Sequence, residues 1–166
     1  MQSKNAIESL IQEFQLLYDN CENTNQKPYY SKLALLELCG WLEAVQDEIV
    51  LSYGQSRLTE EKNLKFLEKT IVGKTFGFDY KSQFRFMLIK VIGLTKVETI
   101  ENELKTEGTF PILVSQLGSL YSLRNRAAHT TIAGVMPIYN APSTMLTYLN
   151  HLHPILCELE QKLNRI

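Results

Sequence analysis

The chain has 166 residues, a formal net charge of −1, 45% hydrophobic and 21% charged content. That is enough for one domain over residues 1–166 with a real buried core, and the charge balance excludes a broadly basic coat for nucleic acid while allowing a local basic site. No stretch approaches the roughly 20 apolar residues that span a bilayer, and the opening MQSKNAIESLIQEF is amphipathic and partly acidic, unlike a secretory signal. A cytoplasmic protein with no membrane partner is therefore expected.

Residues 5–19 place Ile7, Leu10, Ile11, Phe14, Leu17 and Tyr18 at spacings of three and four, the apolar stripe of a helix. NCENTNQKP is a polar turn. A longer second helix is expected from Tyr30 to Ser52, apolar around most of its circumference between Leu33 and Val45 and therefore central, with Gly54 as its stop. Thr59, followed by Glu60 and Glu61, reads as the N-cap of a third helix reaching Val72. GKTFGFDYKSQF, with two glycines and no partner strand, reads as an aromatic-bearing loop.

Helical spacing returns over residues 82–92, and Thr95 reads as the cap of a short helix to Lys105. After the loop TEGTFP, Leu113, Leu117, Leu120 and Leu123 mark the apolar side of another helix. TTIAGVMPIYNAPS is expected to wrap the surface. A last helix, Ser143 to Asn164, contains Pro154, whose ring should kink or break it near Asn150. The sum is an all-α bundle with a long second helix and a kinked C-terminal one. Cys21, Cys39 and Cys157 are too scattered for a zinc or disulfide framework and read as small buried apolar residues.

SLRNRAAHT, Ser122 to Thr130, has two readings. Cations in the last turn of a helix favour the macrodipole, so Arg124, Arg126 and His129 can serve stability alone. Alternatively, a guanidinium fork matches phosphate oxygens and an imidazole moves protons near neutral pH, the pair that metal-free phosphodiester cleavage needs. On an ideal helix Asn125 lies about 40° from His129 and Arg126 about 60°, but Arg124 lies about 140° away. Arg124 then meets His129 through its length, through an irregular last turn, or across two subunits.

RNRAAH resembles the Arg-x4-6-His motif of the HEPN superfamily (higher eukaryotes and prokaryotes nucleotide-binding), all-helical domains that carry the motif at the end of a late helix. Arg124 falls on the motif arginine, Asn125 on its polar follower and His129 on the histidine. GWLEAVQDEI resembles the family's acidic second helix, which puts Glu43 forward with Glu37 and Glu48 as rivals. The resemblance implies a metal-independent endoribonuclease with no cofactor, working as a homodimer whose two motifs meet at one cleft. It implies 2′,3′-cyclic phosphate ends and a toxin or antiviral defence role, with an antitoxin or other neutralising partner. His129 would be general acid or base, Arg124 would bind the scissile phosphate, and Asn125 would orient a phosphate or the histidine. Glu43 supports the site as an ion-pair partner of Arg124 or a group raising the His129 pKa, or is a solvated carboxylate. Arg126, outside the motif, adds a phosphate contact or faces solvent. The family also includes non-catalytic modules that bind RNA or a partner protein, the alternative function.

His151 and His153 diverge by about 200° on a helix and read as structural or surface residues, not metal ligands. Phe76, Phe78, Tyr80, Phe84 and Phe86 suit core packing before base stacking, and Lys74, Lys81, Arg85 and Lys90 suit a snorkelling face before a phosphate track. GKT lacks the upstream glycine of a P-loop.

Overall fold

A helix that is apolar all round has to be enclosed, and the second helix organises everything else. The computed structural model describes residues 4–129 and 139–166, with the backbone alone for His129, and every regular element among them is helical. Helix α1 (Lys4–Asp19) buries Ile7 and Ile11 against α2 (Lys27–Gln55) and α7 (Pro142–Arg165). Helix α2 starts three residues earlier than its periodicity suggests because Pro28 suits a first turn. It buries Leu35, Leu38, Leu42, Val45 and Ile49 almost completely. Gly54 does not stop it. Its bare Cα instead admits the Leu67 side chain, which a Cβ would displace.

The third helix departs from expectation at both ends. Helix α3 (Glu61–Phe66) follows an extended Glu60 with no side-chain cap, so the Thr59 hydroxyl does not start it. It then widens into a π-helical turn, Leu67–Val72, closed by the Gly73 N–H donating to the Glu68 carbonyl at 2.8 Å. The wider turn lets Leu67, Ile71 and Val72, spaced four and five apart, face the core together. A second π turn, Tyr80–Phe84, opens with Asp79 capping the Ser82 N–H and leads into α4 (Arg85–Ile92). Gly93 separates α4 from α5 (Leu94–Thr106), so the Thr95 hydroxyl is not a cap either.

Helix α6 (Phe110–His129) lays Leu113, Leu117, Leu120 and Ala127 against the core. Of the kink or break expected near Asn150, the break does not occur: α7 runs unbroken through Pro154. Pro154 and Asn150 both face solvent, so the carbonyl deprived of its partner is open to water. Residues 130–138, most of the stretch expected to wrap the surface, lie outside the described residues. Of the cysteines only Cys39 is fully buried; Cys21 and Cys157 are half-buried.

Interior charges are paired. Tyr80 Oη and Arg85 Nε both donate to Glu101 Oε1, at 2.9 and 2.6 Å. Lys162, buried on α7, is held by Glu103, Glu107 and Glu158. No helix among the described residues is long and apolar enough to cross a membrane.

Candidate functional site at the seam of α2 and α6

Successive turns of α2 put Cys39, Glu43 and Asp47 in one row, four residues apart. Cys39 faces α6, where the Leu120 carbonyl lies 3.9 Å from its Sγ. One turn further along α6 come Arg124 and Asn125, both half-buried, with Arg124 Nη1 donating to Asn125 Oδ1 at 3.3 Å. The Cys39 thiol senses one charge from each helix, Glu43 one turn along α2 and Arg124 across the seam. Burial pushes its pKa up to about 12, the Arg124 guanidinium opposes that rise, and the Glu43 carboxylate adds to it. Arg124 and Glu43 therefore converge on one thiol, although no carboxylate forms an ion pair with Arg124 among the described residues.

Glu43 is engaged elsewhere. Its Oε1 accepts the Gly77 backbone N–H at 2.7 Å, which ties the loop between the two π turns to α2. Gln46 Nε2 donates to the Phe78 carbonyl at 2.9 Å from a fully buried position, a second tie. On the α6 side the Tyr121 ring meets Phe78 edge-on at 5.8 Å. Gly77 has φ of +106°, and a Cβ there would lie 2.8 Å from Tyr121 Cε2, so this position suits only glycine. The loop is thus clamped between the helices that carry Glu43 and Arg124.

Of the residues singled out from sequence, Arg124 and Asn125 are hydrogen-bonded to each other, and Glu43 shares with Arg124 only the neighbourhood of Cys39 at the seam. Arg126 is exposed on another side of α6, lining an open groove of about 1020 Å³ with Asp79, Lys81, Ser115, Ser119 and Ser122. Glu37 is exposed in a cleft with Ile7, Leu10 and Trp41, facing α1 rather than α6. Glu48 is half-buried and lies off the row of Glu43. His129 is the last residue of α6; its side chain lies outside the described residues.

Asp47 was not singled out, though its spacing from Glu43 could have shown it. Burial, with Glu43 one turn away, pushes its carboxyl up to about 6. The aromatic run divides: Phe78, Tyr80 and Phe84 are core, whereas Phe76 and Phe86 face solvent. Arg85 is committed to Glu101 and leaves the suggested phosphate track. His151 Nδ1 pairs with Gln116 Nε2 at 3.0 Å on the surface, and His153 stacks on Trp41, where burial lowers its pKa. Among the described residues no group of three or more His, Cys, Asp or Glu is placed to hold a metal ion. Comparison with protein-family models, with curated proteins and with solved structures finds no match to this chain.

Proposed function

We propose that the protein is a HEPN-like endoribonuclease that cuts RNA without a metal or cofactor and acts in the cytoplasm as a toxin or defence effector. The observation that carries this reading is Arg124: a half-buried guanidinium at a helix seam, hydrogen-bonded to the Asn125 amide and without a carboxylate ion pair among the described residues. A permanent cation so placed is suited to an anionic ligand, and its planar fork fits two phosphate oxygens. The helix continues without interruption to His129, as the Arg-x4-6-His resemblance requires.

In the reaction, a base takes the proton of the 2′-OH, that oxygen attacks phosphorus, and the bond to the 5′-oxygen breaks as an acid protonates it. Arg124 stabilises the charge on the phosphorane. The motif holds one histidine per chain and so supplies one proton-transfer group; a homodimer with two copies of His129 completes the base and acid pair. Glu43 positions the loop at the edge of the site through Gly77.

The test is incubation of the purified protein with RNA in EDTA, with analysis of the product ends. Cleavage to 2′,3′-cyclic phosphate ends is expected, lost in His129→Ala with the solution mass of the dimer unchanged. Arg124→Ala should lower kcat by about 100-fold or more, the usual cost of removing one transition-state donor. Cleavage undiminished in His129→Ala sinks the mechanism. RNA binding without new ends assigns the protein to the non-catalytic modules of this type.

A further inference from the structure

Among the described residues Phe76 is the most exposed large apolar side chain, at 77%, while Phe78, two positions on, is fully buried. Its backbone is fixed on both sides. The peptide N–H that follows it, that of Gly77, is held by Glu43, and Gly77 itself lies against the Tyr121 ring. Before it, the Thr75 hydroxyl donates to the Ile71 carbonyl at 2.7 Å and the Thr75 N–H to Val72 at 2.9 Å. The phenyl ring is therefore presented to solvent from a rigid base. Tyr121, which Gly77 touches, precedes Arg124 and Asn125 by one turn of α6, so the loop that carries Phe76 is anchored one helical turn from the guanidinium, and Lys74, two positions before the ring, is exposed.

A flat apolar face on a loop anchored one helical turn from a cation suits a nucleotide, whose base stacks on the ring while its phosphate meets the charge. We propose that Phe76 is a stacking platform that seats one unpaired nucleobase of single-stranded RNA beside the phosphate held by Arg124. This rests on the reading of Arg124 as a phosphate-binding residue. It makes Phe76 a positioning residue that selects single-stranded over duplex RNA, since a paired base has no free face to offer.

The test uses the full chain carrying His129→Ala, so that RNA is bound uncut, and a short single-stranded RNA. Adding Phe76→Ala should weaken binding about tenfold, and Phe76→Trp should restore it, with thermal unfolding unchanged in both. One abasic nucleotide, scanned along the RNA, should weaken binding at a single position and have no further effect in Phe76→Ala. A duplex of the same sequence should bind weakly and equally to all variants. Equal RNA affinity with and without the ring overturns the proposal, and so does failure of the His129→Ala chain to bind RNA. Loss of self-association in Phe76→Ala at unchanged RNA affinity assigns the ring to a protein interface and overturns it as well. With His129 restored the two readings separate: RNA bound through Phe76 but left uncut sinks the nuclease alone, whereas cutting indifferent to Phe76 sinks the platform alone.

Discussion

Glu43 Oε1 accepts the backbone N–H of Gly77 at 2.7 Å, joining α2 to a loop 34 positions away in sequence. A carboxylate accepting a half-buried amide stabilises by about 1–2 kcal/mol, and its removal leaves the N–H without a partner. Glu43→Ala should therefore lower Tm by about 5 °C, and Glu43→Gln, which keeps an oxygen acceptor, by about half as much. Hydrogen exchange at Gly77 checks the cause: it should quicken in both variants, most in the alanine. An unchanged exchange rate in Glu43→Ala would show that the loop is held by other means.

Asp47 gives a pH dependence of opposite sign to that of a paired carboxylate. Its folded-state pKa is raised to about 6 from an ordinary 3.8, so the folded chain binds this proton more readily than the unfolded one. Its contribution to stability is complete below about pH 4 and is lost as pH rises through about 6. Asp47→Asn should thus stabilise the protein at pH 7 by about 1 kcal/mol, less than the nearly 3 kcal/mol of a two-unit shift because the carboxyl is half in water. Urea midpoints of the two proteins should separate between pH 4 and 7 and coincide below pH 4.

Cys39 is chemically quiet despite a cation nearby. Burial pushes its thiol up to about 12, so almost no thiolate exists at pH 8, and thiolate is the form that reacts. Alkylation of the native protein followed by peptide mass spectrometry should leave Cys39 unmodified, with full labelling only in denaturant. Labelling of Cys39 at the rate of a free thiol in native buffer would mean that the seam of α2 and α6 opens readily.

Pro154 occupies a solvent-facing position inside an unbroken α7. The ring removes one backbone hydrogen bond, so Pro154→Ala should raise stability by about 1–2 kcal/mol, the helix-interior penalty less the unfolded-state entropy that proline saves. Chemical denaturation measures the gain; a loss would indicate that a bend at this position is needed for packing.

These elements show where sequence reasoning reaches and where it stops. The all-helical class, the central second helix and the apolar side of α6 are local patterns, written in spacings of three and four, and they were legible. The π turns were not, because residues four and five apart, such as Leu67, Ile71 and Val72, look like ordinary helix until tertiary packing chooses the wider turn. Nor does a run of alternating aromatics say which ring is buried: Phe76 and Phe78 are alike in sequence and opposite in exposure. Arg124 and Asn125 are legible from charge and helical spacing, Glu43 only through a resemblance, and its place at the same seam depends on the pairing of α2 with α6. The bond from Glu43 to Gly77 bridges too much chain for any local pattern to foretell it.

Trp41 is the only tryptophan of the chain, and its indole lies 6.1 Å from the His153 ring, tilted 29° from its plane. The fluorescence of the wild-type protein thus reports from a single place, the junction of α2 and α7. A protonated imidazole quenches indole emission and a neutral one does so weakly. Because burial holds the His153 pKa below the ordinary histidine range, the folded chain should stay bright through mildly acid buffer and dim only where that ring takes its proton. The molecule carries its own optical gauge of how firmly its first and last helices grip the central one.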